Sequence, residues 1–492
     1  MTDPSATPLL SALAAAAQRD HAAFYAPGHK QGQGVSQPLA ALLGEQGLRA
    51  DLPELPELDN LFAPEGPIQQ AQQLAAATFG ADETFFLANG STCGIEAAVL
   101  AVCSPGDKIL IPRNAHRSVL SALILSGARP VFVSPIYDSQ WDLAYGITPE
   151  QVAAAFTQHP DLRAVVVVSP SYQGVCADIA AICACVHPRS GVVIVDEAHG
   201  PHLGFHDQLP PGAISGGADL VIQSTHKVLS ALTQASMLHV QGQRVDRDRL
   251  RQALQLTQST SPNYLLLASL DAARQQMAVA GPALMAHTLG IAQQVRSQLI
   301  SLAPLQSLTP EQVTALPGDF QLDLTRLTVD VSTLGITGFA ADELLHQHLG
   351  VTAELPTLRQ LTFIISLGNT VADGERLITA LASLKDNAAA IANTLPDISV
   401  GETGGTAPLS EPPLSPRDAF FAPSRTVPTD DAVGHMSADT LCPYPPGIPT
   451  LLPGETITPA AMAYLQQIQK LGGVITGSLD PTLQTLRIVD AP

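Results

Sequence analysis

Lys227 closes the polar run Gln223-Ser224-Thr225-His226-Lys227, which follows directly on the apolar run Leu220-Val221-Ile222. A lysine just past the end of a buried strand is poorly solvated. Its pKa falls, and its amine becomes a nucleophile able to form a Schiff base with a carbonyl compound. A solitary lysine at a strand end more commonly only snorkels to water, so the assignment needs further groups. Asp196-Glu197-Ala198-His199 supplies one, straight after the apolar residues 192–195. A carboxylate there pairs with a protonated pyridine nitrogen and keeps the ring electron-withdrawing. Asn89-Gly90-Ser91-Thr92 lies between an expected strand and an expected helix. It offers backbone N–H groups, hydroxyls and the positive end of a helix dipole to a phosphate, although Ser and Thr are also ordinary caps. His116, in Arg113-Asn114-Ala115-His116-Arg117, presents an imidazole that can stack on a flat ring. Phosphate grip, ring clamp, pyridinium partner and Schiff-base amine together match a pyridoxal phosphate (PLP) site.

Other chemistries use some of the same residues. Asp196 to His199 spell the DEAH box of a helicase, but that reading requires a GxxxxGK[ST] loop upstream, and the chain has none. His199, His202 and His206 could bind a metal in a hydrolase or binding protein; loop histidines without a metal are the preferred expectation. The cofactor residues alone also admit another PLP reaction, such as transamination, which would yield a keto acid rather than CO2.

The elements that must position these groups follow a regular pattern from residue 68 onward. Helices are expected over 68–79, 95–102, 119–126, 149–156 and 179–186. Strands are expected over 84–87, 108–111, 130–133, 164–168, 192–195, 220–223 and 237–240. Apolar strands alternating with helices predict an α/β fold with a mostly parallel sheet covered by helices on both faces. Ligands of such sheets bind beyond the carboxyl ends of the strands, where the candidate residues fall. A short helix is expected over 9–18 and a proline-punctuated loop over 51–60. A long helix is expected over 283–302, and a smaller α+β layer follows it. The Gly-, Ser-, Thr- and Pro-rich stretch 399–416 reads as a linker. The domain expectation is an arm over 1–60, a PLP-binding large domain over 61–280, a small α+β domain over 281–398 and a C-terminal domain over 417–492.

The chain has 492 residues, 46% hydrophobic and 14% charged, with a formal net charge of -20. That charge opposes nucleic acid or anionic membrane as a partner and suits a small cationic substrate. The 6 cysteines form no CxxC pair and fit a reducing cytoplasm. No apolar run is long enough to span a membrane, and the N-terminus lacks the basic start of a signal peptide.

The motifs also resemble those of a known family, the ornithine/lysine/arginine decarboxylases among the fold type I PLP enzymes. The matching text is YAPGHK at 25–30, LPELDN at 55–60, NGST at 89–92, RNAHRS at 113–118, VDEAHG at 195–200 and QSTHK at 223–227. TSPNYLLLASLD at 260–271 and PYPPGIPTLLPGE at 443–455 complete it. The resemblance implies that Lys227 carries PLP as a Schiff base and that Asp196 pairs with the pyridine nitrogen. His116 and Ala198 would lie on the two ring faces, with His199 beside the cofactor. Gly90, Ser91, Thr92, Ser224 and His226 would hold the phosphate. Loss of CO2 from a basic amino acid is the implied reaction, with arginine ahead of lysine and ornithine, and Glu455 is the candidate for the substrate's distal cation. The resemblance further implies a homodimer or dimer-based oligomer with active sites at the subunit interface. The stretch ahead of Phe24 leaves no room for the N-terminal wing domain of larger members. Ser169-Pro170-Ser171-Tyr172-Gln173-Gly174 departs mildly from the family's TPTYxG, and His199 replaces a bulkier aromatic of some members.

Overall fold

The computed structural model describes residues 3–391, 409–444 and 448–490. Its centre is an eight-stranded sheet of β1 (Glu83–Leu87), β2 (Lys108–Pro112), β3 (Arg129–Val133), β4 (Leu162–Val168), β5 (Val192–Asp196), β6 (Leu220–Gln223), β7 (Ser236–Val240) and β8 (Leu409–Ser410). The spatial order is β1-β7-β6-β5-β4-β2-β3-β8. Pairing is parallel from β6 across to β3. It is antiparallel where β7 meets β6 and β1, and where β8 meets β3.

The near-continuous Val and Ile runs of β4 and β5 are explained by burial on both faces. Ile109, Ile111, Val166 and Ile194 pack into a core on one side of the sheet. The intervening Leu110, Val165, Val167, Val193 and Val195 pack into another core on the opposite side. This period of two is what a pleated strand imposes.

Helix α1 (Pro8–Ala17) is the short N-terminal helix expected from the sequence. Asp271, fully buried, accepts the N–H groups of Leu9 at 3.0 Å and Leu10 at 3.2 Å and so fixes this arm. The loop over 51–60 holds only the single turn Pro56–Leu58. Within it, Asp59 accepts N–H groups from Gly66, Ile68 and Gln69, so LPELDN caps the helix Pro67–Phe79. A helix over Gln37–Ala50, with non-helical dihedrals at Gly44, was not anticipated.

Two helices present the site: α2 (Gly90–Val102) follows β1, and α3 (Arg117–Ser126) follows β2. The long helix expected from residue 283 instead forms α4 (Tyr264–Leu299), which passes through Pro282. Asn263 caps its start through the N–H groups of Leu265 and Leu266. Proline removes one hydrogen bond from a helix interior, and tertiary packing along the rest of this helix outweighs that loss.

The smaller layer is a four-stranded antiparallel sheet containing Arg326–Asp330, Leu355–Pro356 and Gln360–Ile364, backed by the helix Val371–Ile391. Of the stretch expected as a linker, 399–408 lies outside the described residues. Leu409–Ser410 is the edge strand β8, and Pro416 opens the helix Pro416–Phe421. In the PYPPGIP run, Cys442–Tyr444 pairs with Val474–Thr476, whereas 445–447 lies outside the described residues. No helix among the described residues is long and apolar enough to cross a membrane.

Candidate active site

The carboxyl ends of β5 and β6 bring the central pair together. Beyond β6 the chain makes one helical turn, Thr225–Val228, which turns Lys227 back toward β5. Its Nζ is 2.9 Å from His199 Nε2 and 5.7 Å from the centroid of the Tyr172 ring. Burial lowers the Lys227 pKa, against the opposing charge of Asp196. Burial likewise pushes His199 well below its ordinary value, reinforced by the neighbouring Lys227 charge. A neutral imidazole thus stands within hydrogen-bond distance of an amine that readily sheds its proton. Asp196 is 6% exposed and accepts the N–H of Ala198 at 3.2 Å.

His116 is the N-cap of α3, its Nδ1 accepting the N–H of Ser118 at 3.2 Å. Burial lowers its pKa while the nearby Asp196 carboxylate works the other way. The imidazole is therefore fixed by the helix it starts, and the charge of Asp196 acts on it as on Lys227. On the other side, Ser224 Oγ and Ser91 Oγ lie 2.9 Å apart and tie β6 to the start of α2. Gly90 opens that helix with φ +77, and Ser91 and Thr92 lie in its first turn. His226 donates from Nδ1 to the Ala235 carbonyl at 3.0 Å, which anchors the turn bearing Lys227.

The donor set suits PLP. Thr225 Oγ1 and His199 Nδ1 are buried with no partner among the described residues. They lie next to a carboxylate for a ring nitrogen, an imidazole for a ring face and helix-start amides for a phosphate. Glu455 meets Arg113, three residues before His116. Its carboxylate is 2.5 Å from Arg113 Nη1 and accepts the Leu452 N–H at 3.0 Å, so it holds the loop over 449–455 to the residues before α3.

The three histidines of the metal reading do not converge. His199 meets Lys227, His202 donates to Asp323 at 3.0 Å, and His206 Nδ1 accepts the Gln208 N–H. No His, Cys, Asp and Glu cluster fit for a metal occurs among the described residues.

Sequence reasoning missed two supports. Arg326, fully buried in the smaller sheet, donates from Nη2 to the His199 carbonyl at 2.8 Å and stands 3.7 Å from Asp323. This pair lies more than a hundred residues from His199, so no local signal announced it. Gly94 lets α2 close on the sheet: a Cβ there would stand 2.6 Å from Leu87 Cδ1 and 3.0 Å from Ile222 Cγ2. The second glycine of GSTCG was the available hint.

Comparison with known proteins identifies the family and the fold. The model of the Orn/Lys/Arg decarboxylase major domain matches residues 7–373, and that of the C-terminal domain matches 406–478. An arginine decarboxylase of Halalkalibacterium halodurans is 38% identical over 99% of each chain. One of Bacillus subtilis is 38% identical over 98% of each. The solved lysine decarboxylase A from Pseudomonas aeruginosa shares the fold with a TM-score of 0.84 at 24% identity, covering 99% of this chain and 81% of that one.

Proposed function

Since the chain belongs to the Orn/Lys/Arg decarboxylase family, a group of PLP-dependent enzymes acting on basic amino acids, we propose that arginine is its substrate and that Lys227 is its cofactor-bearing amine. The likeness in sequence to arginine decarboxylases at 38–39% identity supports the choice of arginine. The observation that carries the site assignment is the approach of Lys227 to His199 at 2.9 Å, with Asp196 acting on both Lys227 and His116.

In this reading Ser91, Thr92, Ser224, His226 and the Gly90 end of α2 hold the phosphate. His116 and Ala198 flank the ring. The bound cofactor supplies an electron sink for the pair left when the Cα–carboxylate bond breaks. Asp196 keeps a proton on the ring nitrogen. Burial lowers the Lys227 pKa and so favours the nucleophilic free amine. His199 and Lys227 are close enough to pass a proton between them and return one to Cα. Glu455, held by Arg113 of the loop that leads to His116, stays the candidate for the substrate's distal cation.

The reading extends to a cytoplasmic homodimer built on the domain limits expected from the sequence. Exposed Phe24, Leu39, Leu42 and Leu43, clustered in sequence around the YAPGHK turn, support a subunit contact there. Light scattering giving the mass of a single chain would overturn it. Incubating purified holoenzyme with arginine, lysine and ornithine tests the function. CO2 release fastest from arginine is expected, and faster release from lysine or ornithine would overturn the substrate assignment.

A further inference from the structure

We propose that Arg326, braced by Asp323, is a positioning residue that sets His199 and Tyr172 against Lys227; this deepens the decarboxylase reading above and rests on it. Arg326 opens the strand Arg326–Asp330 of the smaller sheet and is fully buried. Its guanidinium divides between two directions. Nη2 donates to the His199 carbonyl at 2.8 Å, while Nη1 donates to Thr325 Oγ1 at 3.3 Å and stands 3.7 Å from Asp323 Oδ2. Asp323 in turn accepts from Thr325 Oγ1 at 2.7 Å and from His202 Nε2 at 3.0 Å. The loop over 199–202 is therefore gripped at both ends, by its first carbonyl and its last imidazole.

The same residues hold the other neighbour of Lys227. Gln321–Leu322 pairs with Val175–Cys176, and the Asp323 N–H donates to the Gly174 carbonyl at 2.8 Å. Gly174 closes the turn carrying Tyr172 with φ +89, and a Cβ there would stand 2.7 Å from Arg326 Cβ. The Tyr172 and His199 rings lie 4.8 Å apart, and Lys227 Nζ approaches both. One buried pair thus fixes two loops that converge on one amine. A guanidinium forks between a carbonyl and a carboxylate where an ammonium does not. Its charge also acts on Lys227 and His199, so a lysine in its place keeps the charge and loses the fork. The chain carries a matched control. Arg274 and Asp271 are also fully buried and three residues apart, and Arg274 donates to the Pro4 and Ala6 carbonyls of the N-terminal arm.

Full-length Arg326→Lys, Thr325→Val and Arg274→Lys are compared with wild type. Holoenzyme turnover of arginine gives kcat and KM. The pH midpoint for modification of Lys227 by an amine-reactive reagent, read by peptide mapping after cofactor removal, reports the amine without turnover. Arg326→Lys should lower kcat about 10- to 100-fold with KM changed less than about threefold. It should also raise the Lys227 midpoint as water enters the loosened site. Thr325→Val should do the same to a smaller degree, and it decides the matter alone if Arg326→Lys does not fold. Arg274→Lys should leave kcat and midpoint as in wild type, whatever stability it loses. Wild-type kcat and midpoint in Arg326→Lys would overturn the proposal. So would a higher KM at unchanged kcat, which marks contact with substrate, or equal losses in Arg274→Lys, which mark general loosening. Wild-type holoenzyme that releases CO2 from no basic amino acid would instead bring down the decarboxylase reading, and the Lys227 midpoints would still decide the positioning.

Discussion

Asp196 and Glu197 are neighbours in sequence with different tasks, which local pattern alone does not separate. Asp196 faces the site. Glu197 is buried, accepts the Ala213 N–H at 2.6 Å and the Gln223 side-chain amide at 2.7 Å, and its carboxyl is pushed up to about 7 by burial. Its ordinary value is 4.5. A raised folded-state pKa means that the folded chain binds the extra proton, so this contribution to stability is present below pH 4.5 and is lost as pH rises through about 7. Denaturation followed across that interval should show wild-type stability falling with pH by at most about 3 kcal/mol from this group. Glu197→Gln should flatten the slope, and an unchanged slope would assign the pH dependence elsewhere. Lys227, Asp196 and His116 were legible because each is a polar residue closely following an apolar strand. Arg326 and Asp323 were not, because their relation to His199 exists only once the smaller sheet has docked.

At the scale of elements, the strands were legible because buried parallel strands leave unbroken Val and Ile runs, as in β4 and β5. Their direction was less so: β7 is buried throughout like the parallel strands, yet it runs antiparallel to both β6 and β1. Pro282 misled the reading of α4, since a proline inside a long packed helix looks in sequence like a start. Helix α2 shows how an element sets chemistry, because its close approach to the sheet through Gly94 carries Ser91 to Ser224. Substituting Gly94 by Ala should lower stability by about 1–3 kcal/mol, despite the better helix propensity of alanine. It should also weaken cofactor binding, since the start of α2 must shift. Thermal melts and cofactor titration read the two effects, and a more stable variant with unchanged cofactor affinity would contradict this account of α2.

Across the whole molecule, distant segments meet to build and brace the site. Asp271, in the sequence TSPNYLLLASLD, ties the N-terminal arm to α4, and Glu455 ties the C-terminal loop to Arg113. The resemblance marked both motifs, whereas their tasks follow only from the contacts. All these supports converge on one buried amine beside His199, its pKa lowered by burial. Borohydride reduction of the purified holoenzyme followed by peptide mapping tests that claim directly. The account predicts a yellow protein whose reduced adduct maps to Lys227, and a Lys227→Ala variant that loses both the adduct and at least about 1000-fold in activity. A colourless protein, or an adduct on any other lysine, would contradict it.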